Sequence, residues 1–326
     1  GVAAPGPAGR CQAMRGITRA TKAPEMMPGS EAWRSRMSAS KIAAVVGASP
    51  YESRFSLWHK MAGVIPWDDD RNSDEKARGH YLEPALRQWW RDKHPEFAVN
   101  ATGPWASVER PWQIASPDGI VSKRDIARTP VALVECKTSA LDSEWGKEGT
   151  DEVPPYYRYQ AIWAMDTLGL DLCHFSVLTS YLEFRQFVVP FDAETAGWLR
   201  REAEDFMRTL GAGERPSLGE PHVETYRAVR HLNPGIEDEL SIVPDALAIA
   251  YAEVQRDAAL IKGRQLGVVT ELASRMGTAR KAVTEHGDAV AYRKSVKGGA
   301  PFVSPARALA QRLLAVPTPE SEKDSS

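Results

Sequence analysis

Apolar positions recur with a helical period in five segments of the first 211 residues, and between these segments they alternate or cluster in short runs. The helical segments are residues 41–46, 53–61, 73–94, 155–168 and 194–210. The short runs predict strands at residues 96–100, 105–108, 112–115, 131–138, 172–179 and 183–189. Helices interleaved with strands favour an α/β fold, in which helices flank a mixed central sheet.

The candidate chemistry lies at the end of the strand predicted for residues 131–138, in Glu135-Cys136-Lys137. Side chains alternate along a strand, so Glu135 and Lys137 share one face and Cys136 points to the other. A predicted hairpin brings Asp118 close to them, from a turn in which Gly119 can adopt a positive φ.

Two carboxylates and an ammonium are costly to bury without further partners. A divalent cation between Asp118 and Glu135 would offset the excess negative charge. Mg²⁺ suits such a pair because it usually takes one or two protein carboxylates and retains several waters. We therefore expect a hydrolytic site for phosphodiesters, in which Lys137 orients or helps to deprotonate the attacking water. Replacing Asp118 or Lys137 by Ala should then abolish hydrolysis and leave stability equal or higher.

Five motifs, in this order along the chain, resemble those of one nuclease group. They are Trp33 with Arg36-Met37-Ser38-Ala39-Ser40, Gly79-His80-Tyr81-Leu82-Glu83, Ser116-Pro117-Asp118-Gly119, Glu135-Cys136-Lys137, and Tyr157 with Gln160. Asp118 with the Glu135-x-Lys137 pair resembles the core of the PD-(D/E)xK nucleases. The wider pattern is similar to the YqaJ-like viral recombinases and lambda-type alkaline exonucleases. This resemblance implies a restriction-endonuclease-like central sheet.

The resemblance also implies a role for individual residues. Asp118, Glu135 and the carbonyl of Cys136 would hold one or two Mg²⁺ ions, with Mn²⁺ as a substitute. Glu83 would add a helix-borne acid to this centre. Gln160 would position the substrate backbone or the attacking water. Considered without the resemblance, Glu83 is an ordinary surface acid and Gln160 an exposed helix residue.

Three residues are candidates for contact with DNA. The resemblance places Arg36 and Ser40 near a 5′-terminal phosphate, and the N-terminus of a helix favours anions. Arg158 is a further candidate for a phosphate contact. Considered alone, Ser40 is explained as a helix cap.

The function implied by the resemblance is a Mg²⁺-dependent exonuclease of the phage recombination type. It would digest duplex DNA ends in the 5′→3′ direction and pass 3′ single strands to a single-strand annealing protein. A ring-shaped homo-oligomer is implied as well. Two alternatives stay open: an endonuclease of the restriction or nicking type, and a non-catalytic DNA-binding scaffold on the same fold.

The composition limits which classes of protein the chain can belong to. The 326 residues carry a formal net charge of −2, so contact with nucleic acid must come from local basic patches. The three cysteines, Cys11, Cys136 and Cys173, are far apart in sequence, which argues against a zinc finger or an iron–sulfur cluster. No apolar run approaches the ~20 residues of a membrane span. We expect no membrane association and a cytoplasmic location.

Changes in composition predict five regions. They are a disordered leader (1–30), the nuclease domain (31–211), a Gly/Pro-rich linker (212–235), a helical arm with a short β element (236–316) and a disordered tail (317–326). Within the arm, one long helix is predicted at 245–276 and one strand at 288–295. The basic segment 293–299 that ends this strand is either a DNA-contacting wing or a solvated turn.

Overall fold

The computed structural model describes residues 19–67, 73–124, 128–139 and 142–306. These residues belong to two compact units that divide after Ile236. In chain order, the elements of the first unit are β1 (Ala20–Lys22), α1 (Glu31–Arg34), β2 (Met37–Ser38), α2 (Ala39–Val45), α3 (Arg54–Met61), α4 (Ser73–Lys93), β3 (Phe97–Asn100), β4 (Trp105–Ser107), β5 (Gln113–Ala115), β6 (Gly119–Lys123), β7 (Pro130–Thr138), α5 (Pro155–Leu168), β8 (Leu172–Leu178), β9 (Phe184–Pro190), α6 (Ala193–Ala212) and α7 (Val223–Leu232). The second unit contains α8 (Asp245–Met276), β10 (Lys281–Val283), β11 (Ala289–Val296) and β12 (Gly299–Pro305).

The central sheet has five strands in the order β3-β6-β7-β8-β9. The pairing of β7 with β8 is parallel, and the other three pairings are antiparallel. The parallel pair is joined by α5, as expected for a crossover connection between parallel strands. The predicted fold class, a mixed sheet flanked by helices, is confirmed.

Side chains alternate along β7, so its two faces pack against two different groups of buried residues. Leu133 packs in the large core with Trp163 of α5 and Phe175 of β8. Val134, its neighbour, packs on the opposite face with Trp90 of α4. Because the period of a strand is two, Glu135 lies on the same face as Leu133, towards α5. This parity determines which helix can contact the end of the strand.

Helix α4 runs without interruption from Ser73 to Lys93, although Pro84 lies inside it. A proline removes one backbone donor and crowds the preceding turn, so the sequence predicts a kink or a break near Glu83. The structure contains no break, and the same helix therefore carries both Glu83 and Trp90. The packing of Trp90 under the sheet fixes the helix that presents Glu83.

Seven elements were not predicted: α1, β2, β6 and β10, and the three described next. Residues 20–22 form β1, the edge of a second sheet with the order β1-β4-β5-β2. Helix α7 lies inside the segment expected to be a linker, and its Ala228 packs with Phe55 and Ile65. The third, β12, completes the sheet of the second unit. Residues 1–18 and 307–326, most of the expected leader and all of the expected tail, lie outside the described part of the chain.

The second unit consists of the 32-residue helix α8 followed by an antiparallel sheet in the order β10-β11-β12. The long predicted helix is observed at its predicted position. Of the helices in the described ranges, none combines the length and the hydropathy that crossing a membrane would require.

Candidate active site

The end of β7 presents Glu135 and Lys137 on one face, as the alternation predicted. Lys137 Nζ donates to Glu135 Oε2 at 2.8 Å, and Gln160 Nε2 of α5 donates to the same oxygen at 2.8 Å. Only 2% of Glu135 is exposed. The carboxylate is thus buried with two donors on one oxygen, one of them charged. The Lys137 ammonium also lies 5.1 Å from the centre of the Tyr157 ring, a cation–π contact.

Asp118 reaches the same place from the start of β6. Gly119 pairs with Val134 in the antiparallel ladder, so Asp118 lies beside the end of β7. Its Oδ2 accepts a hydrogen bond from the Cys136 amide at 2.7 Å. The predicted hairpin pairing that brings Asp118 to Glu135 is therefore confirmed, but the predicted turn at Gly119 is wrong because Gly119 begins β6.

Gly119 is required for a different reason from the one expected. Its φ is not positive. A Cβ at this position would lie 3.0 Å from Val99 Cγ1 and 3.2 Å from Arg87 Cδ. Glycine is needed because β3 and α4 approach the backbone closely, which a sequence pattern cannot reveal.

Glu83 enters the site through a residue that the sequence analysis missed. Arg87, one turn further along α4, donates to Glu83 Oε1 at 2.6 Å and to the backbone carbonyl of Asp118 at 2.9 Å. The guanidinium thus ties the helix-borne acid to the turn that carries Asp118. The spacing of four residues from Glu83 was the available signal, since such pairs are neighbours on a helix.

The electrostatics of the cluster favour proton uptake by one acid and proton retention by the base. Burial, together with the nearby charges of Glu135 and Glu83, raises the pKa of Asp118 to about 7. Burial alone would lower the pKa of Lys137, but the carboxylates of Glu135 and Asp118 outweigh it and raise that pKa. Lys137 is therefore a fixed ammonium in the pH range of an enzyme assay.

The donor set fits a hard divalent cation. The hydrogen bonds described above use Oδ2 of Asp118 and Oε2 of Glu135. They do not involve the second oxygen of either carboxylate, Asp118 Oδ1 or Glu135 Oε1. Oxygen ligands of this kind are what Mg²⁺ prefers. Within the described ranges, no three His, Cys, Asp or Glu side chains are already arranged as a metal-binding group. Both Glu83 and Asp118 are instead held by hydrogen bonds within the protein.

Arg36 and Ser40 lie in the segment from β2 to α2. Ser40 is exposed, and its Oγ lies 3.0 Å from Ser38 Oγ. Arg36 is half-buried, and its Nε has no hydrogen-bond partner among the described residues. No hydrogen bond of the described chain joins either residue to Asp118 or Glu135, so their role as phosphate contacts stays a prediction.

Arg158 lies two residues before Gln160 on α5 and forms an ion pair with Asp151 at 2.8 Å. Contact with a phosphate would require this exposed pair to open. Exposed ion pairs contribute little, about 0–1 kcal/mol, so the cost of opening is small.

Lys41 is a buried cation that the sequence analysis did not single out. Its Nζ donates to the carbonyls of Trp33 at 2.6 Å and Arg36 at 2.7 Å, and it lies 3.8 Å from the centre of the Trp33 ring. Burial lowers the pKa of Lys41 to about 7, while the carbonyls and the indole favour the ammonium. Lys41 thereby fixes the loop that carries Arg36.

Residues 30–171 match the family model described as the YqaJ-like viral recombinase domain. The chain is similar to LHK-Exo, an alkaline exonuclease from Laribacter hongkongensis, in its complex with dAMP, with 20% identity over 56% of this chain and 92% of that one and a TM-score of 0.43. It is also similar to a phage-related exonuclease from Haemophilus somnus, with 11% identity over 54% and 94% of the two chains and a TM-score of 0.42. A search of curated proteins found no match.

Proposed function

We propose that the protein is a divalent-metal-dependent DNA exonuclease, a proposal supported by the match of residues 30–171 to the model of the YqaJ-like viral recombinase domain. The observation that carries the proposal is the convergence of Asp118, Glu135, Lys137 and Gln160 at the edge of one sheet. Three separate segments supply these groups, and a purely structural role gives no reason for three charged side chains to meet there.

Asp118 and Glu135 would hold the cation, with the carbonyl of Cys136 and the carboxylate of Glu83 as further oxygen ligands. When bound, Mg²⁺ or Mn²⁺ supplies Lewis-acid stabilisation of the negative charge that develops on the phosphate. Glu83 can turn towards this centre only if its bond with Arg87 is exchanged or shared. The Arg87 guanidinium then still holds the Asp118 turn through the backbone carbonyl.

Lys137 acts as a donor in this proposal. Its raised pKa supports an ammonium that keeps its proton, so it hydrogen-bonds to the phosphate or the attacking water instead of removing a proton. Glu135 holds the ammonium in place at 2.8 Å. Gln160 donates to the same Glu135 oxygen, Oε2, so Oε1 would be the Glu135 oxygen that holds the cation.

For the substrate, we propose duplex DNA ends digested 5′→3′ to leave 3′ single strands. Arg36 and Ser40 would contact the terminal phosphate, and the exposed position of Ser40 supports this assignment. Arg158 would contact a phosphate further along the strand, after release from Asp151. An annealing protein as recipient of the product, and a homo-oligomeric assembly, complete the proposal.

The test compares linear and covalently closed duplexes of the same sequence, in Mg²⁺ and in EDTA. We expect only the linear duplex to be digested, only with metal, and faster from 5′-phosphate than from 5′-hydroxyl ends. Asp118→Asn and Lys137→Met should lose the activity, whereas Glu204→Gln, at an exposed position of α6, should keep it.

Each alternative has its own result in this assay. Loss of closed circles would replace the exonuclease by an endonuclease. Absence of hydrolysis on every substrate, with retained DNA binding, would leave the scaffold. Digestion that starts at 3′ ends would overturn the proposed polarity alone.

A further inference from the structure

The sheet of the second unit has two chemically different faces. Ala291 of β11 is buried, as are Met276 at the end of α8 and Ala306 just beyond β12. Tyr292 and Lys294 flank Arg293 on β11, so both point away from the face of Ala291. One face of the sheet is therefore closed by packing, and the other is open.

The open face interleaves aromatic and basic side chains. In the ladder, Lys281 of β10 and Ser304 of β12 stand opposite Tyr292, and Phe302 stands opposite Lys294. Directly opposed residues share a face, so the five side chains form one surface. Tyr292 is 37% exposed and Phe302 is 48% exposed, so solvent reaches both rings.

The arrangement of the two rings is specific. Tyr292 and Phe302 occupy diagonal positions on adjacent strands. Residues at such positions lie roughly 7–8 Å apart. Lys281 and Lys294 lie directly across from one ring each. Neither lysine forms an ion pair with another described residue. Both ammonium groups are thus available to an anion beside an exposed ring.

The surrounding charge has the same sign. Residues 277–306 contain five Lys or Arg and two Asp or Glu, within a chain whose net charge is −2. A groove of about 800 Å³ at this end of the unit is lined by Arg280, Arg293 and Lys294. Such a basic surface favours a polyanionic partner over a neutral or basic one.

We infer that the Tyr292–Phe302 face is a binding site for single-stranded nucleic acid. Exposed rings on a basic surface bind single strands because each ring stacks on an unpaired base while cations contact the phosphates. A duplex presents its bases already stacked and cannot use the rings. Lys281 and Lys294 contact the backbone, and the groove continues its path. The residues of this site belong to the second unit, and binding there does not depend on cleavage.

The first test is equilibrium binding of a fluorescent oligo-dT to the full-length protein in EDTA, which prevents hydrolysis. Tyr292→Ala and Phe302→Ala should each weaken binding by roughly 5- to 100-fold, the range for loss of one base stack. Tyr292→Phe should bind like the wild type because the ring is retained. The matched control is Tyr251→Ala on α8, a tyrosine that is 68% exposed in the same unit and should have no effect.

Salt dependence tests the lysines separately. Lys294→Gln should reduce the slope of log affinity against log salt by about 0.7, the value for one phosphate of a single strand. Lys262→Gln, an exposed lysine on α8, should leave the slope unchanged. Competition with oligo-rU and with a duplex of equal length identifies the ligand: either single strand should compete better than the duplex.

A second measurement covers the case in which the nuclease unit binds single strands more tightly and masks the change. Oligonucleotides with 5-iododeoxyuridine should crosslink to Tyr292 or Phe302 on irradiation, and peptide mapping locates the adducts. Crosslinks confined to residues before 237, better competition by the duplex, or equal weakening by Tyr251→Ala would each overturn the inference. Failure of the hydrolysis assay would not affect it.

Discussion

Lys137 Nζ lies 2.8 Å from Glu135 Oε2, and this carboxylate is 2% exposed. The ammonium is the only cation that contacts the Glu135 carboxylate among the described residues. Its removal would leave a buried carboxylate with Gln160 alone. The ion pair should therefore contribute to the stability of the fold as well as to the proposed hydrolysis. Measurements of stability and of activity can separate these two contributions.

Lys137→Met should abolish hydrolysis and also destabilise the protein. Breaking a buried ion pair from one side costs about 3–5 kcal/mol because the partner stays charged and unpaired. The measurement is urea unfolding in EDTA beside a nuclease assay. The double variant Lys137→Met with Glu135→Gln should recover most of the lost stability without recovering activity, and a failure to recover it would contradict the pairing.

Asp118→Asn should abolish hydrolysis and raise stability at neutral pH, in contrast to Lys137→Met. The sequence had suggested equal or higher stability for the loss of either residue, and the structure separates them. Asp118 is repelled by Glu135 and Glu83, so neutralising it relieves the cluster. A gain of roughly 1–3 kcal/mol in the free energy of unfolding is expected at pH 8 in EDTA. A loss of stability would show that the three charges are compensated in some other way.

The same substitution should change the pH dependence of stability. With the pKa of Asp118 at about 7 in the folded protein and an ordinary value near 3.8 when unfolded, the unfolded chain binds fewer protons between these values. The contribution of Asp118 to the stability of the wild type therefore falls as pH rises from about 4 to about 7. Asp118→Asn lacks this contribution, so the difference in melting temperature between variant and wild type should widen over that window. A constant difference would contradict the raised pKa.

Divalent metal should stabilise the folded wild type by mass action. At a Mg²⁺ concentration 100 times the dissociation constant, the expected gain is about 2.7 kcal/mol. Asp118→Asn and Glu135→Gln should lose most of the increase in melting temperature, and Glu204→Gln should retain it. An equal increase in all four proteins would place the metal elsewhere.

Two glycines should respond in opposite directions to the same change. Gly119→Ala would bring a Cβ to 3.0 Å from Val99 Cγ1, and such overpacking costs typically 1–3 kcal/mol. Gly79→Ala meets nothing within 4 Å and replaces a helical glycine, so it should raise stability by up to about 1 kcal/mol. Thermal unfolding distinguishes the two.

Gly79→Ala has a second use. Since no protein group lies near its Cβ, slower digestion of DNA by this more stable variant would indicate that the substrate approaches α4 at Gly79. Unchanged digestion would show that the glycine serves neither packing nor substrate.

The local pattern of apolar and polar residues was sufficient to predict much of the first unit. Alternation put Glu135 and Lys137 on one face, and the apolar run before them predicted the strand that carries them. The β6–β7 ladder confirms the predicted hairpin that brings Asp118 to β7, although Gly119 lies in β6 and not in the predicted turn. Periodicity also located α8, a helix whose limits depend on local propensity because it is mostly exposed.

The amino-acid sequence by itself determined which residues could carry charge to the end of β7, because a strand's two-residue period is a local property. Only the tertiary structure decided that Arg87 joins Glu83 to the Asp118 turn, that Gly119 is required by the approach of Val99, and that Tyr292 and Phe302 lie on one open face. Those relationships join segments separated along the chain, and their geometry follows from how helices and strands pack, which no local period encodes.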